Sequence, residues 1–70
     1  MERKFWNIGD RVECICNDNA VIPVYVGLDY TITDMIWESK FEIWCIFIDN
    51  HDQCYDEVEF GIIFKKKLKI

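Results

Sequence analysis

The pattern of apolar and polar positions is sharpest over residues 26–37, Val-Gly-Leu-Asp-Tyr-Thr-Ile-Thr-Asp-Met-Ile-Trp. Successive side chains of a strand point to opposite faces. Tyr30 and Ile32 therefore share one face, and Thr31 and Thr33 share the other. Gly27 punctuates the entry to this strand, which is expected to run from Tyr30 to about Trp37. The alternation slips at Asp34, which strict counting places on the Tyr30/Ile32 face. A one-residue bulge at that point predicts the return of Met35 or Ile36 to the core, together with a bend in the strand. Bends of this kind turn the corners of small barrels.

The same reading divides the rest of the chain. Phe5, Trp6 and Ile8 form an apolar lead-in closed by the turn signal Gly9-Asp10, and Phe5 or Trp6 is expected across one end of the fold. Residues 11–16 alternate, with Val12, Cys14 and Cys16 on one face. Asn17-Asp18-Asn19 reads as a loop. Residues 20–26 are apolar but contain Pro23. Proline lacks the N–H of a central ladder, so an extended loop or edge segment is expected. Glu38-Ser39-Lys40 is a polar hairpin connection.

Residues 41–49 give the longest strand pattern. Phe41, Ile43, Cys45 and Phe47 line one face, and Glu42, Trp44, Ile46 and Ile48 the other. Two readings stay open: a strand covered on both sides, or one on which Trp44 with Ile46 or Ile48 meets a partner. After the loop at residues 49–53, Cys54-Tyr55 is extended again. Residues 56–60 read as at most one short helical turn, ended by Gly61. Ile62-Ile63-Phe64 is a last strand before the lysines. Five short strands with at most one helical turn near the C-terminus predict a small all-β barrel, formed as one domain over residues 1–70.

Two motifs add a resemblance. Gly9-Asp10-Arg11-Val12-Glu13-Cys14-Ile15 resembles the first strand of small phage-encoded SH3-like β-barrel proteins, and Gly27-Leu28-Asp29-Tyr30-Thr31-Ile32-Thr33-Asp34 resembles their glycine turn and Tyr-Thr-Ile strand. Phe47-Ile48-Asp49-Asn50 resembles the strand end that follows, and Phe60 matches the aromatic that closes the barrel. The loop around Pro23 and the lysine tail depart from that pattern. The resemblance implies a five-stranded SH3-like barrel acting in a bacterial host cytoplasm, commonly by binding a host protein. It transfers no catalytic residue.

Composition narrows the field. In seventy residues the apolar fraction is 51% and the aromatic fraction 16%, too high for a disordered segment. All thirteen acidic residues lie at or before Glu59, while Lys65, Lys66, Lys67 and Lys69 close the chain. Residues 1–64 carry a balance of −9, which repels a nucleic-acid backbone and attracts basic protein surfaces. No apolar run is long enough for a signal peptide or membrane span, and free thiols in a reducing compartment are expected.

The candidate chemistry is thin. Cys14, Cys16, Cys45 and Cys54 could furnish a tetrahedral zinc site. However, one intervening residue sets Cys14 and Cys16 ~6–7 Å apart along a straight strand, so buried free thiols are the better reading. His51, between Asp49 and Asp52, reads as a solvated loop histidine or as a base or ligand lacking a completed site. The acidic run Asp49, Asp52, Asp56, Glu57, Glu59 is a solvated face, a cation site, or a surface docking on a basic groove. It lacks the glycine and terminal glutamate of a calcium loop. The lysine tail is a frayed terminus, a contact to a second copy, or a weak nucleic-acid element.

Elimination leaves a binding module that is not an enzyme and needs no cofactor. The expected protein-binding set is Trp37, Trp44, Asp49, His51, Asp52, Tyr55, Asp56 and Glu57. The resemblance to phage-encoded barrels implies that the partner is a bacterial host protein, such as a defence or nucleic-acid enzyme, that is inhibited or redirected. The alternatives are a nucleic-acid or transcription-complex binding module and a small zinc-binding or structural protein. Unpaired edge strands leave a homodimer open.

Overall fold

The computed structural model describes residues 5–18, 23–49 and 51–67. It is mostly β: β1 (Arg11–Cys14), β2 (Asp29–Glu38), β3 (Ile43–Ile48), β4 (Cys54–Asp56), helix α1 (Glu57–Ile63) and β5 (Phe64–Lys66). The strands form one antiparallel sheet in the order β4-β3-β2-β1-β5. The sheet is open, with β4 and β5 as its two edges. Helix α1 links those edges and packs on β3, β4 and β5.

β2 joins the two halves of the sheet. Its first residues pair with β1, Arg11 opposite Thr31 and Val12 opposite Tyr30. From Ile32 onward it pairs with β3, and the register shifts between Ile32 and Asp34. The expected bulge is therefore present. It returns Met35 to the core and leaves Ile36 on the opposite, exposed face. Two glycines turn the chain into the strands, Gly9 at φ +96° and Gly27 at φ +93°, a region open to glycine at little cost. The Gly9 N–H donates to the Ile32 carbonyl and the Gly27 N–H to that of Cys14.

The core is built from Trp6, Val12, Cys14, Val24, Tyr30, Ile32, Met35, Ile46, Ile48, Tyr55, Phe60, Ile63 and Phe64. Aromatic rings organise it. Phe60 meets Trp6 edge-on at 4.8 Å and lies 4.5 Å from Phe64, and Tyr55 touches both phenylalanines. Edge-on and offset contacts are the favoured arrangements of such rings. Of the lead-in aromatics, Trp6 closes one end of the fold and Phe5 stays exposed.

Four expectations require correction. The hairpin turn takes residues 39–42, with Glu42 in the left-handed region at φ 52°, so β3 starts at Ile43 and Phe41 belongs to the turn. Gly61 does not end the helix. Asp56 caps it by accepting from the Glu59 N–H, and continuing through Gly61 buries Ile63 beside Phe60. Glycine costs about 1 kcal/mol in a helix interior, less than the ~1.5–3 kcal/mol from burying an isoleucine. Ile62 and Ile63 are consequently helical, and the last strand begins only at Phe64, opposite Cys14. Finally, Lys65–Lys67 are not frayed: two lie in β5, and the Lys67 N–H donates to the Arg11 carbonyl. Lys69 lies outside the described residues, as do residues 19–22 of the segment around Pro23.

Candidate functional site

The two faces of β3 have different fates. Ile46 and Ile48 are fully buried and Trp44 packs against the core. This corrects the reading in which Trp44 meets a partner together with Ile46 or Ile48. The opposite row, Ile43, Cys45 and Phe47, is half-buried. Register fixes its neighbours. Cys45 lies between Ile36 on β2 and Asp56 on β4, Ile43 lies opposite Glu38, and Phe47 lies between Asp34 and Cys54. The outward face is thus an apolar strip with carboxylates on both flanking strands. Exposed Phe41 stands at its turn end, and Ile36 is also exposed. A groove of about 450 Å³ opens there, lined by Glu38, Phe41, Ile43, Cys45 and Asp56.

The charges sharpen this picture. From Asp34 to Glu59 the chain holds eight acidic residues against Lys40 alone. The lysines of the C-terminal strand are paired elsewhere. Lys67 contacts Asp29 at 2.9 Å, Lys66 contacts Asp10 at 3.2 Å, Lys65 reaches Glu13 at 4.0 Å, and Arg11 joins Asp29 at 3.5 Å. The Lys67 hydrogen bond and the nearby positive charges hold the Asp29 carboxyl below its ordinary range. These pairs lie within one chain and account for the ammonium groups of Lys65, Lys66 and Lys67. Positive charge is neutralised at the β1/β5 edge, and uncompensated negative charge remains around the outward face of β2, β3 and β4.

The cysteines divide in the same way. Burial pushes the Cys14 thiol up, and its Sγ donates to the Cys16 carbonyl at 3.6 Å. Cys45 is pushed up to about 11, first by burial, then by a hydrogen bond and charge from Cys54, with the charges of Glu38 and Asp56 adding to these. The core reading holds for Cys14 only, since Cys16 and Cys45 are half-buried and Cys54 is exposed; all four thiols are free. Cys14 faces the core and Cys45 the outward side, so the four sulfurs do not converge. Among the described residues no group of three or more His, Cys, Asp or Glu is arranged to hold a metal ion.

The expected binding set does not form one patch. Trp37 is 41% exposed and stacks edge-on against half-buried Trp44 at 5.3 Å, on the core side of the sheet. Tyr55 is fully buried opposite Ile46, so it cannot reach a partner. Asp49 accepts from the Thr31 N–H at 2.9 Å. His51 is not a solvated loop histidine: its ring lies 2.9 Å from both the Asp49 and Pro23 carbonyls and edge-on to Tyr30. Glu57 accepts from the Trp44 N–H at 2.8 Å, beyond the last β4 pairing. Only Asp52, Asp56 and Trp37 of the set are exposed. Sequence reasoning missed Ile36, Glu38, Phe41, Ile43 and Cys45 as a group. The available signal was the unbroken apolar row Phe41, Ile43, Cys45, Phe47.

No helix among the described residues is long and apolar enough to cross a membrane. In comparisons with protein-family models, curated proteins and solved structures, the chain matches none.

Proposed function

We propose that the protein is a non-enzymatic binding module whose outward sheet face engages a basic surface of a partner protein. The single observation that carries this reading is the outward apolar strip of exposed Ile36 and Phe41 with half-buried Ile43 and Cys45, flanked by Asp34, Glu38 and Asp56. Apolar surface left open and rimmed by polar groups marks interaction sites. Aromatic anchors such as Phe41 carry much of the energy of protein interfaces. Carboxylates at the rim steer a basic partner and set its register.

The strand order, with a helical turn between β4 and β5, supports assigning the open sheet to the SH3-like barrels. The resemblance of residues 9–15 and 27–34 to phage-encoded barrels supports a bacterial host protein as the target, inhibited or redirected in the host cytoplasm. The nucleic-acid reading loses its footing on Lys65–Lys67, whose ammonium groups pair with carboxylates of the same chain. Affinity capture from bacterial lysate at low and high salt tests the proposal. Wild-type protein is expected to enrich a basic protein in a salt-sensitive manner, and a folded Ile36→Thr/Phe41→Ser variant is expected to lose it. Equal capture by both, or no specific capture, refutes the proposal.

A further inference from the structure

We infer that the groove on the outward face receives one arginine side chain of the partner protein, its stem on Ile43 and Cys45 and its guanidinium between Glu38 and Asp56. The inference rests on the binding reading above and narrows it to a chemical group.

The register supplies the geometry. Glu38 and Asp56 stand on the two strands that flank β3, with Ile43 and Cys45 between them. Neighbouring strands lie ~4.8 Å apart and a strand rises ~3.3 Å per residue; with Glu38 opposite Ile43 and Asp56 opposite Cys45, the two backbone positions are about 12 Å apart, diagonally across the strip. A long side chain can lie along the apolar floor and present a charged head to both walls. A cavity of about 450 Å³ is of the size that ligand sites use.

The Glu38 carboxylate makes no ion pair or hydrogen bond among the described residues, although its backbone carbonyl accepts from the Phe41 N–H at 3.2 Å. Asp56 uses Oδ1 to cap α1, accepting from the Glu59 N–H at 2.8 Å. The charges of both carboxylates also converge on the Cys45 thiol, where they disfavour its ionised form. The floor of the groove therefore lies in a negative field; the residues lining it include no basic side chain, and Lys40 stands beside it over the Phe41 ring.

Arginine suits this site better than lysine. Its planar guanidinium offers five donors along fixed directions and stacks on aromatic faces, whereas an ammonium is a compact, strongly hydrated charge. Phe41, 69% exposed, supplies the aromatic wall. Its ring already attracts a cation, since the Lys40 ammonium lies 5.5 Å from the ring centroid.

The test uses the ¹⁵N-labelled 70-residue protein titrated with the peptide acetyl-Ala-Arg-Ala-amide. The control peptide carries citrulline, which keeps the shape and removes the charge. Saturable amide shifts are expected at Ile43, Cys45 and Asp56 in the millimolar range, weaker by about fivefold or more with citrulline. Removing one exposed carboxylate partner should weaken an ion pair roughly two- to fivefold. Glu38→Gln with Asp56→Asn should therefore weaken binding about four- to twenty-fivefold. Asn is as good a helix cap as Asp, so the fold is retained, and the variant's own spectrum verifies this. Shifts elsewhere, no saturable shift, an equal response to citrulline, or unchanged affinity in the double variant overturns the inference. If that double variant still captures a partner that Ile36→Thr/Phe41→Ser loses, the arginine assignment fails and the binding reading stands.

Discussion

The same substitution placed on opposite faces of the sheet tests the division between its core face and its outward face. Ile46 on β3 is fully buried, while Ile36 on β2 is 46% exposed. Each is changed to threonine, which keeps the β-branch and so the strand preference. At residue 46 the change removes a buried carbon, worth about 0.5–1.5 kcal/mol by analogy with Ile→Val. It also buries a hydroxyl, costing about 1–3 kcal/mol. The expected loss is roughly 2–4 kcal/mol. At residue 36 the hydroxyl stays in water and the expected change is within about 0.5 kcal/mol. A 70-residue domain has only about 3.5–10 kcal/mol in total, so Ile46→Thr removes a large share of it. For a domain this small each kcal/mol moves the midpoint by about 4–8 °C, giving a fall of about 8–30 °C for Ile46→Thr and under about 4 °C for Ile36→Thr. Urea and thermal unfolding followed by tryptophan fluorescence and far-ultraviolet circular dichroism measure both. Equal destabilisation, or a larger loss at residue 36, would refute the assignment of faces on which the proposed function depends.

Three further predictions follow from particular contacts. The Asp29 carboxyl, held low chiefly by Lys67, has a folded pKa below the ordinary value of 3.8; its contribution is present above that value and is lost as pH falls through the folded pKa. Asp29→Asn should therefore flatten the acid limb of the stability curve below about pH 4, and an unchanged limb in acid titrations counts against the pairing. Asp56→Ala should cost about 1 kcal/mol through loss of the helix cap, with Asp56→Asn restoring it; if Asn is as damaging as Ala in urea melts, the cap is not the cause. At pH 8, Cys45, pushed up from 9.0 to about 11, should alkylate about tenfold more slowly in the native protein than in urea, the smaller thiolate fraction being partly offset by its greater nucleophilicity. Mass spectrometry of iodoacetamide-treated protein reads this, and equal rates would show that the thiol is not shielded.

The strands were legible where a single face is buried. Tyr30, Ile32 and Val12 alternate with polar residues, and the slip at Asp34 announced the bulge that the register shows. The β3 segment was ambiguous because both of its rows are apolar, and pattern alone cannot tell a core row from a binding row. Only the position of α1, which carries Phe60 and Ile63 into the core, decides which side is filled. Gly61 misled because its local cost is outweighed by burial of Ile63, a tertiary gain invisible along the chain. Lys65–Lys67 looked like a loose tail because their carboxylate partners, Glu13, Asp10 and Asp29, lie 38 or more residues away in sequence. The groove escaped notice for the same reason. Glu38, Ile43, Cys45 and Asp56 meet only through pairing across three strands.

Binding of a basic protein by the outward face is tested by comparing capture from bacterial lysate by wild-type protein and by Ile36→Thr/Phe41→Ser, with the variant first shown to be folded. Wild-type protein is expected to enrich a basic protein at low salt and to release it at high salt, and the variant is expected to capture none of it. Retention of the same protein by the variant, or failure of wild-type protein to enrich any protein above background, would contradict binding by that face.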